Sequence, residues 1–273
     1  MICFPNAKIN LGLHVTEKRP DGYHNIETVF CPVSLSDALE VIPSEKKGST
    51  FTSTGIPIPG DPESNLVLKA LELIRDTQPG IVHLDSNIHL HKVIPIGAGL
   101  GGGSSDAAYM LKLLNDLLRL NLSVTNLQDL ARKLGSDCAF FIENKPMFAY
   151  GRGDQFEPID LDLSEYKIVV VVPPVHVSTQ EAYAMVIPRK PRHSLREIVR
   201  MPADRWRGLL SNDFEEPVMV KFPVIREVKE ELYNRGAVYA AMSGSGAAVF
   251  GLFSRQSTVG KWQFDPSFQV YSF

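Results

Sequence analysis

The chain has 273 residues, 44% of them hydrophobic and 22% charged, the proportions of an ordinary globular protein and not of a disordered tail, a collagen-like repeat or a coiled coil. A formal net charge of -3 offers no basic footprint for a nucleic-acid backbone or an anionic membrane surface, so small molecules are the expected partners. No apolar run approaches the roughly 18 residues of a membrane span, and Met1-Ile2-Cys3-Phe4-Pro5 lacks the charged-then-apolar layout of a secretory signal. Cys3, Cys31 and Cys138 are widely spaced and suggest neither a disulfide framework nor a zinc site, which fits a cytoplasmic protein in a reducing compartment.

In chain order, Ala7, Ile9, Leu11, Leu13 and Val15 alternate with Lys8, Asn10 and His14, the pattern of a half-buried strand with one polar face. Arg19-Pro20-Asp21-Gly22-Tyr23-His24 has turn chemistry and leads into a second strand over 26–33. After a loop rich in Gly, Ser and Pro, residues 65–76 carry Leu66, Ala70, Leu73 and Ile74 at helical spacing, with Ser64 placed to cap them. A strand over 88–93 runs into a glycine-rich segment, and Ala107, Leu111, Leu114 and Leu118 mark a helix over 106–120. Thr125 and Gln128 offer a capping box for the next helix, which Gly135 stops.

A second unit is expected to begin near residue 156, dividing the chain into 1–155 and 156–273. Its opening strand is the valine run over 168–172, ended by Pro173-Pro174. A helix bearing Ile225, Val228 and Leu232 closes at Gly236, and two strands over 237–242 and 247–253 flank the loop Ser243-Gly244-Ser245-Gly246. The whole reads as an α+β chain without internal repeats.

The run Pro95-Ile96-Gly97-Ala98-Gly99-Leu100-Gly101-Gly102-Gly103-Ser104-Ser105 is the strongest local signal. Glycines leave backbone N–H groups unobstructed, and a helix starting at the same point adds its unpaired amides and positive dipole end, an arrangement that binds phosphate. A structural turn is the plainer alternative. Gly97, Gly99 and Gly102 match G-x-G-x-x-G, but the acidic residue of a dinucleotide site about 20 positions on is missing, and no Gly-Lys-Ser/Thr completes a Walker A loop.

The other candidates also have two readings each. Lys8 and Asn10 project from the same strand face roughly 6 to 7 Å apart, as a solvated surface or as part of a site. Asp137 precedes Cys138-Ala139-Phe140-Phe141, either as a helix N-cap or as a group that deprotonates or orients a hydroxyl. Tyr23-His24 is an aromatic plug or a surface for stacking and hydrogen-bonding a nucleobase, and the Ser243–Gly246 loop is a tight hairpin or a second approach to phosphate.

Taken together, the Lys8-Ile9-Asn10-Leu11 strand, the Pro-x-x-x-Gly-Leu-Gly-Gly-Gly-Ser-Ser loop, Gly135-Ser136-Asp137 and Ser243-Gly244-Ser245-Gly246 resemble the GHMP small-molecule kinases, in order and spacing from residue 7 to 253. Asp21-Gly22-Tyr23-His24 and Val177-Ser178-Thr179 draw the likeness toward the branch whose acceptor is an alcohol carried on cytidine diphosphate. The resemblance implies a ribosomal protein S5 domain 2-like N-terminal domain and a ferredoxin-like C-terminal domain. It also implies transfer of the γ-phosphoryl group of ATP, with Mg2+, to the 2-hydroxyl of 4-diphosphocytidyl-2-C-methyl-D-erythritol. It puts the catalytic pair on Lys8 and Asp137, with Lys8 keeping Asp137 ionised, and Asn10 beside them at the acceptor. Residues Pro95 to Ser105 would cradle the ATP phosphates, supported by Ser243 to Gly246. Asn65 and Lys92 would lie near the nucleoside, and Tyr23, His24, Phe30 and Tyr183 would enclose the cytidine.

It specifies neither metal ligands nor an oligomeric state. Two departures stand out: Cys138-Ala139 replaces the usual Val-Pro after Asp137, and Asp154 stands where Glu is usual. Cys138 is then expected to be a partly accessible thiol beside the active site. A GHMP kinase for another alcohol, such as homoserine or a mevalonate derivative, and a catalytically silent metabolite sensor are the competing readings.

Overall fold

A computed structural model describes residues 1–44, 48–78, 85–257 and 264–273. The order begins with strands β1 (Ile2–Cys3), β2 (Asn6–Lys18), β3 (His24–Ser36), β4 (Ala38–Pro43) and β5 (Thr50–Gly55). Helix α1 (Leu66–Thr77) and strand β6 (Ser86–Lys92) follow, then α2 (Gly102–Leu117), α3 (Val124–Leu134) and the single-turn α4 (Phe140–Glu143). Strands β7 (Met147–Tyr150), β8 (Gln155–Pro158) and β9 (Tyr166–Val172) lead to α5 (Thr179–Met185), α6 (Leu195–Ile198), α7 (Glu215–Lys221) and α8 (Pro223–Asn234). Last come β10 (Tyr239–Met242), β11 (Val249–Ser254) and β12 (Gln269–Ser272). Among the described residues no helix is long and apolar enough to cross a membrane.

The chain divides into two compact units that are interleaved in sequence. One comprises residues 1–7, 34–96 and 101–145; the other comprises 8–33, 97–100 and 146–273. A single cut near residue 156 does not describe this division. The physical reason lies in β2 and β3, thirteen residues each, which form a sheet in the order β2-β3-β7-β8 and so join early chain to residues 147–158.

The first unit is built on the sheet β1-β4-β6-β5, in which β5 and β6 are parallel. Helices α1 and α2 pack on each other. Val67, Ala70, Leu71 and Ile74 of α1, and Ala107, Met110, Leu111 and Leu114 of α2, are fully or almost fully buried, the helical period made visible in packing. Both predicted caps shift slightly. Asn65, not Ser64, caps α1, its Oδ1 accepting from Val67 N at 2.9 Å. Ser123 and Asn126, not Thr125 and Gln128, form the capping box of α3. Either residue type serves as a cap, and the winner is the side chain that reaches the second or third helical amide.

In the second unit the sheet β10-β11-β9-β12 is antiparallel throughout. Counted from β9, its spatial order is 2-3-1-4, the ferredoxin-like order expected of the C-terminal half. Val169, Val171, Ile225, Val228, Leu232, Ala240, Val249 and Phe253 lie in its core together with Leu13 and Val15 of β2.

Strand β2 is buried on both faces from Ala7 to Leu13, so its polar face is not solvated. Residues from α6 to Asn212 cover it: a Cβ on Gly12 would stand 2.7 Å from side-chain atoms of Leu195 and Leu210. Leu13 N donates to Ser211 O at 2.9 Å, and His14 is 5% exposed, with burial holding its imidazole below the ordinary histidine pKa.

Candidate active site

Lys8 and Asn10, one strand period apart on β2, meet as the alternation requires. Lys8 Nζ donates to Asn10 Oδ1 at 2.6 Å and to the carbonyl of Gly99 at 3.2 Å. Asn10 Nδ2 donates to Thr28 Oγ1 at 3.0 Å, and Thr28 Oγ1 donates to Gly12 O at 2.5 Å. The amide of Asn10 is therefore engaged at both ends and orients the lysine, whose ammonium also stands 4.9 Å over the ring of Phe30. Both Lys8 and Asn10 are buried, which excludes the solvated-surface reading of this pair.

The two glycine-rich loops interlock at the same place. Ser243 Oγ donates to Gly99 O at 2.9 Å, Asn10 N donates to Ser243 Oγ at 3.3 Å, and Ala248 N donates to Ala98 O at 3.1 Å. Gly99, at φ +79°, has no room for a side chain: a Cβ there would stand 2.0 Å from Ser243 O. Gly97 and Gly101 also have positive φ. Gly101 is the N-cap of α2 and supplies no side-chain bond to it. Gly102 and Gly103 already belong to the helix, which starts four residues earlier than its apolar pattern suggests. The loop thus places three positive-φ glycines directly before the positive end of a sixteen-residue helix, a geometry suited to an anion. Ser105, fully buried in the first turn of α2, has a hydroxyl without a partner among the described residues.

Lys92 is placed differently from the expectation of a nucleoside contact. It is 3% exposed, and its ammonium bonds Asp37 and, at 2.8 Å, Asp106 Oδ2. Asp37 Oδ1 in turn accepts from Val93 N at 2.6 Å and Ile94 N at 2.8 Å. One acid thus fixes the backbone entering the glycine loop, and Lys92 links it to Asp106 in the helix leaving that loop. Burial raises the Asp106 carboxyl to about 7, against the opposing pull of Lys92. Neither Asp37 nor Asp106 stands out in the sequence, because nothing local marks a carboxylate 55 residues from its lysine as a partner. Asn65 is likewise committed, as the cap of α1.

Asp137 lies in the turn between α3 and α4. The N-cap of α4 is Ala139, so capping does not account for this aspartate. Cys138 beside it is completely buried and its thiol is pushed up to about 12 by desolvation, which removes the expectation of an accessible thiol.

The aromatic group has one open part and one closed part. Tyr23 is 55% exposed, with the Arg152 guanidinium 5.1 Å from its ring centre. The His24 and Tyr183 rings stack at 4.8 Å and 22° between planes, and Phe214 meets Tyr183 edge-on at 4.8 Å. Partial burial and nearby Lys18 hold His24 below the ordinary histidine pKa, so at neutral pH its ring offers one donor and one acceptor. Phe30, by contrast, is 1% exposed beneath Lys8. It belongs to the lysine's support more directly than to an open nucleobase surface. Arg152 is a member of this group that no local pattern singled out.

Comparison with known proteins agrees with this geometry. The model of the GHMP kinases N terminal domain matches residues 65–150, and that of the GHMP kinases C terminal domain matches 192–261. A 4-diphosphocytidyl-2-C-methyl-D-erythritol kinase of Bacteroides fragilis is 53% identical over 270 residues, 98% of this chain and 97% of that protein. One from Parabacteroides distasonis is 55% identical over 255 residues, 93% of this chain and 92% of the relative. A crystal structure of 4-(cytidine 5'-diphospho)-2C-methyl-D-erythritol kinase superposes with a TM-score of 0.77 at 35% identity, covering 92% of this chain and 90% of that one. Interlocked glycine loops around a buried Lys–Asn pair, both family models in order and near-complete alignment to these relatives lead to one assignment: the chain belongs to the GHMP kinases and, among them, to the 4-diphosphocytidyl-2-C-methyl-D-erythritol kinase family.

Proposed function

We infer that this chain transfers the γ-phosphoryl group of ATP to the 2-hydroxyl of 4-diphosphocytidyl-2-C-methyl-D-erythritol. The observation that carries the reading is the buried Lys8–Asn10 pair bonded to Gly99 of the glycine loop, which puts a fixed cation against the phosphate cradle. Phosphoryl transfer asks a protein chiefly for positioning and charge stabilisation, and these residues supply both. Lys8 offsets charge on the transferring group, held in line by Asn10, Thr28 and the ring of Phe30. Asp137 accepts or orients the proton of the acceptor hydroxyl. Amides of the loop from Pro95 to Ser105 bind the triphosphate. Magnesium, which needs oxygen donors and takes most of them from nucleotide phosphates and water, would find a protein donor in the Ser105 hydroxyl; it neutralises phosphate charge when bound.

Tyr23 stacks on the cytosine, and His24 and Tyr183 beside it offer stacking and hydrogen bonds to its edge. These aromatics favour the cytidine-bearing alcohol over homoserine or mevalonate, neither of which has a ring to stack. Three free thiols suit a reducing cytosol.

The test is ADP formation by purified protein with ATP, magnesium and, in separate reactions, 4-diphosphocytidyl-methylerythritol, homoserine, mevalonate and galactose. Turnover with the first alone is the expected result. Turnover with another acceptor refutes the specificity argument. Silence with all four, despite measurable ATP binding, moves the metabolite sensor to first place.

A further inference from the structure

The segment joining β9 to α5, continued into that helix, reaches three parts of the site. Pro173-Pro174 fixes two φ angles where β9 ends. Val177 is buried in the core of the second unit and Val175 packs against that core, so His176 between them is turned outward. Its imidazole lies on the glycine loop: a Cβ on Gly97 would stand 2.7 Å from His176 Cε1 and 3.1 Å from Nδ1. Three residues on, Thr179 Oγ1 is 3.3 Å from Ser245 Oγ in the second glycine loop, and Tyr183 of the same helix carries the stack on His24.

The exposed ring of His176 is therefore packed against one of the positive-φ glycines whose amides form the cradle, and among the described residues it has no side-chain hydrogen bond of its own. An imidazole always carries at least one N–H, and a ring laid beside a phosphate-binding turn directs that donor to the anion the turn receives. Its placement has a second consequence. Because Gly97 has φ +68° and no free volume on this side, the ring closes that flank of the loop to bulk and leaves a polar edge in its place.

We propose that His176 is a nucleotide-binding residue of this kinase, donating a ring N–H to a phosphate oxygen of the ATP held by the glycine loop. The proposal rests on the phosphoryl-transfer reading above. Since the same stretch continues into the helix that carries Tyr183, His176 also places the nucleotide side of the site seven residues from the nucleobase stack.

Calorimetric titration with a non-hydrolysable ATP analogue and magnesium tests this apart from turnover. His176→Ala is expected to weaken analogue binding about 10-fold, as loss of a hydrogen bond to a charged group does, and to raise KM for ATP by a similar factor. The kcat and the KM for the cytidine-bearing acceptor should stay within about twofold. His176→Gln, which keeps an N–H donor at that reach, should recover most of the affinity. Unchanged analogue binding in His176→Ala overturns the proposal. So does equal loss in both variants accompanied by a matching fall in thermal stability, because the ring would then be packing and not a donor. A wild-type chain that binds the analogue without phosphorylating the acceptor refutes the function above, while these titrations still decide the role of His176.

Discussion

Lys92→Met isolates the charge that holds the two flanks of the glycine loop. The side chain is 3% exposed, and its ammonium bonds both Asp37 and Asp106. Methionine keeps most of the aliphatic stem, so the packing loss alone stays under about 1.5 kcal/mol. Removing the cation leaves two buried carboxyl groups without their counter-ion, and breaking a buried pair by deleting one partner costs about 3–5 kcal/mol. At roughly 2–4 °C per kcal/mol for a protein somewhat smaller than this chain, the melting temperature should fall by about 6–20 °C. Urea unfolding followed by far-ultraviolet circular dichroism measures the loss at neutral pH. The deficit should shrink in Lys92→Met/Asp106→Asn, since the second carboxyl, which must otherwise take up a proton to stay buried without its counter-ion, is then a neutral amide. A loss below about 1 kcal/mol at neutral pH would refute the view that this triad organises the loop, because an exposed pair would cost no more.

The elements with long apolar periods were readable from the residues alone. Leu66, Ala70 and Ile74 announce α1, and the valine run announces β9, because burial on one stripe or on both faces leaves a pattern inside a dozen residues. The shared face of Lys8 and Asn10 was readable too, since a strand period of two dictates it, whereas the bond between them emerges only in the fold. What covers a surface is a different matter. Nothing near Asn10 indicates that Ser243, 233 residues away, closes over it, and nothing near Lys92 points to Asp37. The interleaved units have the same origin: pairing of Thr28 with Ala149 joins distant segments that each look complete locally. Asp137 illustrates the limit of local rules, for its sequence setting is that of an N-cap, yet α4 starts three residues later at Phe140.

Four further outcomes test the site. Asp137→Asn should fold normally and bind both ligands while turnover falls at least ~100-fold, the scale of a lost general base; near-normal turnover removes Asp137 from the mechanism. Tyr23→Ala should weaken the cytidine-bearing substrate by roughly 1–3 kcal/mol in calorimetry and leave ATP binding unchanged, whereas equal losses for both ligands would make the ring a support for the fold. Gly99→Ala should abolish ATP binding, because its methyl group would stand 2.0 Å from Ser243 O at a φ of +79°, and retained affinity would show that the loops are not interlocked as described. The last outcome follows from Asp106, whose carboxyl is raised from 3.8 to about 7 by burial. Between those values the folded chain holds a proton that the unfolded chain has released, so this group's contribution is full below about pH 4 and is lost as pH rises through about 7. Asp106→Asn cannot titrate, and its urea midpoint should fall less steeply from about pH 5 to pH 8 than that of the parent chain; parallel slopes would mean that Asp106 keeps an ordinary carboxylate pKa and that Lys92 neutralises it fully.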